Sequence, residues 1–522
     1  MVISPLISLM KDQVDALDRR GVPAAYLNST LSAHDVAARL ARARDGAVKL
    51  LYLAPERLEG GAVLDALSRT GVSLLAVDEA HCISEWGHDF RPSYRRIGAI
   101  RERLGQPQTV ALTATATPAV RDDIIRQLAL HRPTIVVGGF DRVNLTYHVE
   151  SARTQPDKDR AAIQWLRSAP GPAIVYTPTR KAVERLASLL IRARVRAVAY
   201  HAGLDDCLRQ RAQDAFMRER VRVIVATSAF GMGIDKADVR LVIHHAMPGS
   251  LEAYYQEAGR AGRDGASSRC VLLYSYADRF THEFFMGIAN PQRTVIEQTW
   301  GALRRHADRD RFVGLSLAQL TAQLPPRTDE RHVASALRIL SAAGILDVEP
   351  AFASRVWVRL LATPTRITRA LTGERAFDRE VLRSLWRAAG SRLESGTIVD
   401  LAGLPPGLDG AHGVLPVLER LQSEQYVTWA RTGGGYHLLA GAADEHTPPI
   451  DWRALERRRR TDLERLEAIQ GYSQSPACRR AFVLRYFGDA DTRRHCAACD
   501  RCLGLTSGIR AAAPRPDNGS RT

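Results

Sequence analysis

Short apolar runs alternate with amphipathic stretches over the first half of this chain. The apolar runs have the length of strands, and the stretches between them repeat their apolar positions with helical spacing. This alternation predicts an α/β fold in which parallel sheets are covered by helices on both faces. The predicted strands are residues 2–3, 49–53, 74–77, 109–113 and 134–138 in a first domain, and 173–176, 197–200, 221–226, 241–244 and 270–274 in a second.

From about residue 290 the pattern changes to helix-rich units that end in short hairpins. In the first unit Val333, Leu337 and Leu340 keep helical spacing, and Gly344 can end that helix. Helices followed by a hairpin predict a winged helix, although generic helical packing explains the first unit equally well. The predicted hairpin strands are residues 345–346 and 355–358 in the first unit, and 426–431 and 436–439 in the second.

These changes of pattern divide the chain into six segments. Two α/β domains are followed by two winged-helix-like units, then by a charged helix with a cysteine cluster, and finally by a tail rich in Ala, Pro, Gly and Ser that we expect to be disordered. The predicted boundaries are 1–148, 149–288, 289–370, 371–445, 446–505 and 506–522.

Composition narrows the range of functions. The 522 residues are 45% hydrophobic and 25% charged, which is typical of a soluble globular protein. A net charge of +16 predicts a polyanionic partner, with nucleic acid first and an anionic membrane surface second. No apolar run approaches the roughly 20 residues that span a bilayer, so we expect no membrane-embedded segment. Seven cysteines, four of them clustered, fit a metal site in a reducing cytoplasm better than a disulfide framework.

An acid pair carries the first candidate chemistry. Asp78 and Glu79 directly follow an apolar strand, and open α/β sheets bind their ligands at the carboxyl ends of strands. In NTPases an acid at this place holds the Mg²⁺ that neutralises phosphate charge, and a second acid orients the attacking water. An Asp-Glu pair alone is a weak signal, because such dipeptides are common in solvated loops.

The context of this pair resembles the RecQ family of superfamily 2 DNA helicases. The stretches that carry the resemblance are residues 78–94, 113–117, 227–235 and 256–265, with further support from 52–58, 140–145 and 200–204. The resemblance is nearly continuous from Ser4 to about Tyr276. It implies two tandem RecA-like domains, the first one incomplete, that use ATP and Mg²⁺ to unwind DNA from 3′ to 5′ in recombination and repair.

The resemblance also implies the residues of the nucleotide site. Arg260 and Arg263 would act as arginine fingers that stabilise charge in the transition state, and the alternative for either is a structural ion pair. His81 and the threonines of 113–117 would couple nucleotide state to domain movement. The complete implied set is Asp78, Glu79, His81, Asp235, Gln256, Arg260 and Arg263.

Residues 82–94 interleave aromatic and cationic side chains, which is typical of a platform that stacks single-stranded bases. A role in the core is the alternative for Trp86 and Tyr94. The candidate DNA contacts are Trp86, His88, Phe90, Arg91, Tyr94 and Thr227. The expected partners are single-stranded DNA and duplex junctions, with single-strand binding protein or other repair proteins as candidate protein partners.

The chain contains no Gly-Lys-Ser/Thr phosphate-binding loop, since none of its five lysines follows a glycine. The family carries this loop and its strand before the point that corresponds to Met1. We therefore expect a miscalled or truncated start, because a sheet without that strand would leave residues 109–113 and 134–138 with unpaired backbone groups. The rival hypotheses are a DNA-binding remnant without hydrolysis and, more weakly, an RNA helicase.

Four cysteines near the C-terminus have the spacing of a metal site. Cys478, Cys496, Cys499 and Cys502 are separated by seventeen, two and two residues, and two such Cys-x-x-Cys steps let several thiolates bind one tetrahedral ion. Zn²⁺ is the expected metal and an iron–sulfur cluster the alternative. The segment is similar to the RecQ zinc-binding subdomain, but here the winged-helix-like units precede it, whereas in the commonest family layout it directly follows the second motor domain. We expect Cys82, Cys207 and Cys270 to be buried small residues.

Overall fold

The computed structural model describes most of the chain in two compact units. These units are Met1–His282 with the segment from Arg457 onward, and Glu283–Glu456. No helix in the described ranges is both long and apolar enough to cross a membrane. The described residues are 1–5, 7–28, 31–58, 61–84, 87, 89–231, 236–308, 311–326, 328–348, 355–371, 375–401, 404–405, 410–431, 435–439, 445–489 and 494–505. The tail predicted at 506–522 lies outside them.

A five-stranded parallel sheet forms lobe 1, which we define as residues 1–130. Its strands are β1 (Val2–Ile3), β2 (Ala24–Leu27), β3 (Leu50–Leu53), β4 (Leu74–Val77) and β5 (Gln108–Ala111), in the order β2-β3-β1-β4-β5. Its helices are α1 (Ile7–Asp18), α2 (Ala33–Arg44), α3 (Ala62–Thr70), α4 (Pro92–Arg95), α5 (Ile97–Arg103) and α6 (Pro118–Gln127). Capping residues start several of them: Thr117 accepts from the Val120 amide, and Pro118 occupies the first turn of α6.

The strand predicted at 134–138 is wrong. That segment is irregular, and Ile135, Val136 and Val137 are 56%, 87% and 45% exposed. An extended segment forms a strand only when a neighbour satisfies its backbone groups. Among the described strands β5 is the edge of the sheet and pairs with β4 alone, and residues 134–138 pair with none of these strands. The other predicted strands of lobe 1 are confirmed to within two residues at each end, and β2 was missed.

A six-stranded parallel sheet forms lobe 2, which we define as residues 145–282. Its strands are β6 (Leu145–Ser151), β7 (Ala173–Tyr176), β8 (Ala197–Tyr200), β9 (Val223–Ala226), β10 (Leu241–His244) and β11 (Ser268–Tyr274), in the order β6-β11-β10-β7-β9-β8. Its helices are α7 (Gln155–Ser168), α8 (Arg180–Arg192), α9 (Asp206–Met217), α10 (Leu251–Ala258) and α11 (Asp278–Ala289), the last of which continues past the lobe. The central strands β7, β9 and β10 are fully buried, as their unbroken apolar sequences predict.

Two small antiparallel sheets lie in the second unit. The first contains β12 (Phe312–Val313) and β13 (Leu346–Val348) with β17 (Tyr436–Leu438) between them. The second contains β14 (Arg355–Leu360) between β15 (Thr397–Asp400) and β16 (Val427–Arg431). The helices are α12 (Arg293–His306), α13 (Leu317–Ala322), α14 (Glu330–Ala342), α15 (Pro364–Ala370), α16 (Ala376–Ala389), α17 (Arg392–Ser395) and α18 (Gly410–Ser423).

One domain of this unit is inserted into the other. Strand β17 follows the whole second sheet in the chain, yet it pairs with β12 and β13. We call residues 355–431 the inserted domain, and residues 293–348 with 436–455 the outer domain. The six segment boundaries derived from the sequence stay a prediction.

The two predicted hairpins are therefore wrong in their partners. Strand β13 pairs with β17 instead of β14, and β16 pairs with β14 instead of β17. The reason lies in the cores that these strands close. Leu346 and Leu438 pack in the cluster around Trp300, whereas Val358 and Val427 pack in a separate cluster of the inserted domain. A strand is held by the core it covers, so β13 and β17 pair with each other although the whole inserted domain lies between them in the chain.

Two further helices complete the described chain. They are α19 (Trp452–Gln474) and α20 (Arg479–Tyr486). The cysteine cluster surrounds α20, because Cys478 is its N-terminal cap residue and the other three cysteines follow it.

The insertion predicts that residues 355–431 fold alone. The isolated segment should unfold cooperatively in urea, because it has its own core around Leu385 and Leu418. Leu418→Ala should lower its free energy of unfolding by roughly 2–5 kcal/mol. Exposed Leu361, which is 49% accessible, provides the matched control, and Leu361→Ala should change stability by about 0.5 kcal/mol or less. An isolated segment with a broad, non-cooperative transition would contradict the insertion.

Candidate functional site

The acid pair lies at the carboxyl end of β4, next to the centre of the lobe 1 sheet. The Asp78 amide donates to the Ile3 carbonyl at 2.9 Å, which continues the pairing of β4 with β1. Asp78 Oδ2 accepts from Ser4 Oγ at 3.1 Å, and Oδ1 accepts from the Glu79 amide at 2.9 Å. Both oxygens are thus held at the edge where parallel sheets bind ligands.

The electrostatics of this pair favour a cation. Burial raises the pKa of Asp78, and the charge of Glu79 raises it further, while the hydrogen bonds from Ser4 and the Glu79 amide oppose the shift. A divalent cation beside the two carboxylates would offset this repulsion and keep both ionised. The donor set, which consists of carboxylate oxygens at an open edge, fits Mg²⁺.

Glu79 has a left-handed backbone, with φ 48° and ψ 45°. Such a conformation costs a residue with a side chain about 1–3 kcal/mol and is found often at functional sites. Its Oε2 lies 3.2 Å from His81 Nδ1, and the same nitrogen lies 3.0 Å from Thr113 Oγ1. The structure therefore brings together Glu79, the buried His81 and the first threonine of the 113–117 stretch.

The aromatic segment is only partly available for stacking. Tyr94 is fully buried, and its hydroxyl donates to the Asp78 carbonyl at 3.2 Å. The predicted contact of Tyr94 with DNA is therefore wrong: the ring belongs to the core beneath the acid pair. Phe90 and Arg91 are half-buried, and Arg91 donates to Asp89 and to the Pro5 carbonyl. Trp86 and His88 lie outside the described residues.

The predicted arginines lie in lobe 2, in a turn after α10 that we call the arginine loop (residues 259–266). Arg260 is 5% exposed and lies beside the phenol of Tyr176 and against Gly231, where an added Cβ would come within 2.9 Å of its guanidinium. In the described ranges Arg260 Nε is a buried donor with no acceptor, which is costly unless a ligand supplies one. Arg263, by contrast, is exposed.

The remaining predicted residues of lobe 2 are less informative. Gln256 is half-buried near the end of α10, and Thr227 is half-buried where β9 ends. Thr227 Oγ1 accepts from the Ala229 amide at 3.4 Å. Asp235 lies outside the described residues. The acid pair and the arginines are thus presented by different lobes.

The four clustered cysteines converge. Their sulfur atoms all lie within 4.8 Å of one another, and Cys496 Sγ is 3.9 Å from Cys502 Sγ. Tetrahedral Zn–S bonds of about 2.3 Å place sulfurs roughly 3.8 Å apart, so the arrangement fits Zn²⁺. The amides of Cys496 and Cys502 point at ligand sulfurs, Cys502 Sγ at 3.3 Å and Cys499 Sγ at 3.5 Å. We call residues 478–489 with 494–505 the zinc element.

The zinc element is bonded to the free edge of the lobe 2 sheet. Asp500, between two of the ligands, donates from its amide to the Tyr147 carbonyl at 3.0 Å and accepts from the Val149 amide at 3.1 Å. The fully buried Arg479 donates to both carboxylate oxygens of Asp500 at 3.0 and 3.1 Å. Asp500 thereby continues the pairing of the outer strand β6. This pair was not predicted from the sequence, because the two residues are 21 positions apart and leave no periodic signal.

The other cysteines were predicted to be buried. This is confirmed for Cys82 and Cys270, whose thiol pKa values are raised by burial. It is wrong for Cys207, which is exposed. Cys207 lies in the first turn of α9, whose buried residues are Ala212 and Phe216 further along the helix.

Three protein-family models match the chain. The model "DEAD/DEAH box helicase" matches residues 1–124, "Helicase conserved C-terminal domain" matches 157–265, and "RecQ zinc-binding" matches 444–503. The first two cover the acid pair and the arginine loop, and the third covers the four cysteines. The matches thus fall on the two lobes and on the zinc element.

Curated relatives give the same picture. The chain is 50% identical over 288 residues to the ATP-dependent DNA helicase RecQ of Bacillus subtilis, which covers 55% of this chain and 48% of that protein. It is 45% identical over 301 residues to the RecQ helicase of Pasteurella multocida, covering 56% and 47%. It is 40% identical over 312 residues to a probable ATP-dependent DNA helicase RecS of Bacillus subtilis, covering 59% and 62%. The chain spans about half the length of the first two relatives.

The cysteine cluster predicts bound zinc that stabilises the fold. Elemental analysis should find one Zn²⁺ per chain, and Cys499→Ser should lose it and lower the melting temperature, because metal binding contributes to folding free energy. Cys207→Ser, at the exposed cysteine, is the matched control and should keep both metal and stability. Iron with sulfide in place of zinc, or unchanged zinc in Cys499→Ser, would contradict this assignment.

Proposed function

We propose that this chain is a member of the RecQ family of superfamily 2 helicases and that it acts as an ATP-dependent DNA helicase that moves from 3′ to 5′ along one strand. The observation that carries the proposal is the position of the acid pair. Asp78 and Glu79 stand at the carboxyl end of a central parallel strand, with Glu79 held beside His81 and Thr113. A second parallel-sheet lobe carries the arginine loop.

The proposed roles follow from the chemistry of each side chain. Asp78 would hold Mg²⁺ against the β and γ phosphates of ATP, and Glu79 would orient the attacking water and accept its proton. Arg260 and Arg263 would stabilise the negative charge that develops on the transferred phosphoryl group. Gln256 and Asp235 would line the same site. Arg260 Nε is buried and has no acceptor among the residues that the structure describes, which supports this assignment because a phosphate oxygen is a suitable acceptor.

DNA is the proposed substrate. The net charge of +16 favours a polyanion, and half-buried Phe90 lies in the segment that leads out of the acid pair. Arg458 of α19 lies over the Phe90 ring at 5.7 Å, so a stacked base there would also meet a cation. We extend the proposal to junctions of duplex and single strand, to recombination and repair in the cytoplasm, and to single-strand binding protein or other repair proteins as partners.

A second candidate is a DNA-binding protein that does not hydrolyse ATP. The observation that favours it is the lack of a Gly-Lys-Ser/Thr run in the 522 residues. Hydrolysis by this chain as printed requires another means of holding the triphosphate. Reading the frame upstream of Met1 for codons of such a run is the first step in separating the two candidates.

Hydrolysis tests the enzyme directly. We expect phosphate release that single-stranded DNA stimulates, and we expect Glu79→Gln to reduce it by roughly 10²–10⁴-fold, because the amide cannot accept a proton. Glu102→Gln, at an exposed glutamate of the same lobe, should leave the rate unchanged. DNA binding without any hydrolysis would favour the second candidate. Hydrolysis that survives Glu79→Gln would place the chemistry elsewhere.

The aromatic segment predicts a loss of DNA affinity. Phe90→Ala should weaken binding of a single-stranded oligonucleotide by roughly 1–3 kcal/mol, because a base stack is lost. Phe280→Ala removes a 60% exposed ring of lobe 2 and serves as control, with no change expected. Fluorescence anisotropy at fixed salt measures both. Equal affinities for Phe90→Ala and the unmodified chain would remove Phe90 from the DNA interface.

A further inference from the structure

The segment between the two lobes is bonded to the arginine loop. We call residues 138–144 the interlobe linker. The guanidinium of Arg142 donates to three backbone carbonyls, those of Gly259 at 2.9 Å, Ala261 at 3.0 Å and Gly262 at 3.0 Å. These carbonyls flank Arg260 and lie directly before Arg263. A single linker side chain thus bonds the backbone on both sides of the proposed catalytic arginine.

Arginine suits this position for two reasons. Its planar fork carries five N–H donors in fixed geometry, so it can bond several carbonyls at once, which a lysine ammonium does less well. Gly259 is the cap residue that ends α10, and a cation at the carboxyl end of a helix is favoured by the helix dipole. The contact therefore fixes the direction in which the arginine loop leaves the helix.

A second linker residue bonds the same loop. Asn144 Nδ2 donates to the Gly262 carbonyl at 2.7 Å and to the Ala266 carbonyl at 2.9 Å. Gly262 has φ +55°, and an added Cβ there would lie 2.5 Å from Asn144 Nδ2. The linker and the loop are thus packed so closely that position 262, directly before Arg263, accepts only glycine.

The zinc element holds the linker from another direction. The ring of Phe487 stacks on Phe140 with centroids 4.9 Å apart, and Asp489 accepts from the Phe140 amide at 3.0 Å. Buried Arg480 of α20 is paired with Asp141 and donates to the Leu145 carbonyl at 2.7 Å. The linker therefore lies between α20, which begins at a zinc ligand, and the arginine loop.

We propose that Arg142 and Asn144 are positioning residues that hold the arginine loop in its working geometry, and that the zinc element holds the linker that carries them. The catalytic consequence rests on the proposed function of Arg260 and Arg263, whereas the positioning itself does not. A residue that only stabilised lobe 2 would loosen the whole lobe when removed. Removal of a positioning residue loosens mainly the loop that this residue bonds.

Amide hydrogen exchange on the full chain separates these outcomes. Several amides of the arginine loop are protected by hydrogen bonds, among them Gly262 to the Val239 carbonyl at 2.9 Å and Asp264 to the Ala237 carbonyl at 3.2 Å. Arg142→Ala should speed exchange over residues 259–266 by about tenfold or more, with strands β7 and β9 unchanged. Arg142→Lys should restore only part of the protection, because it cannot bond all three carbonyls.

Arg222 offers a matched control in the same lobe. Its guanidinium also bonds three backbone carbonyls, those of Gly171 at 2.9 Å, Leu166 and Ala169, but none of them belongs to the arginine loop. Arg222→Ala should speed exchange over residues 166–171 and leave 259–266 unchanged. Equal effects of the two variants on the arginine loop, or none in Arg142→Ala, would overturn the proposal.

The zinc element has its own pair of variants. Phe487→Ala removes the ring stacked on Phe140 and should speed exchange in the linker and in the arginine loop. Phe482→Ala removes a ring of α20 that contacts Tyr472 instead, and should leave both segments unchanged. A linker that loosens while the arginine loop stays protected would refute the connection between them.

Turnover tests the catalytic consequence separately. If the chain hydrolyses ATP, Arg142→Ala should lower kcat by about a hundredfold with little change in DNA affinity, because a small displacement of the fingers is enough. Unchanged kcat in a variant whose loop has loosened would overturn the catalytic part. If the unmodified chain shows no hydrolysis, the proposed function fails, and the exchange measurements still decide whether Arg142 positions the loop.

Discussion

Parallel strand pairing is the constraint on which the rest of this structure depends. Because all strands of a lobe run in one direction, their carboxyl ends meet at one edge, and the residues that follow them lie together there. Glu79 and His81 follow β4, and Thr113 follows β5, so residues far apart in sequence meet at this edge, where His81 contacts both Glu79 and Thr113. Ser4, which follows β1, completes the setting by bonding Asp78.

The outer strand β6 of the lobe 2 sheet is bonded to the zinc element. A parallel sheet leaves unpaired backbone groups on its outer strands, and Asp500 bonds two residues of β6 at such an edge. Asp500 is itself paired with the buried Arg479. The cysteine cluster is therefore joined to the sheet through a buried ion pair. Desolvation offsets much of the attraction in a buried ion pair, so removing one partner costs more than the pair itself contributes. The zinc element is therefore bonded both to lobe 2 and to the interlobe linker.

Much of the fold could be predicted from the sequence, because unbroken apolar strands such as β7, β9 and β10 leave a clear pattern. Strand β6 could not be predicted, because its Thr, His, Glu and Ser residues interrupt the apolar pattern. The run at 134–138 has the composition of a strand but pairs with none of the described strands. Aromatic spacing could not distinguish Tyr94, which faces the core, from Phe90. The role of Arg142 leaves no periodic signal, because its acceptors lie more than a hundred residues later.

The central claim is that one nucleotide is held by acids from lobe 1 and by arginines from lobe 2. A crystal structure with a non-hydrolysable ATP analogue, Mg²⁺ and single-stranded DNA measures this directly. The account predicts density for the metal at Asp78 and for the γ phosphate within hydrogen-bonding distance of Arg260 or Arg263. A nucleotide bound away from both groups, or bound by the acids with the arginine loop turned elsewhere, would contradict it.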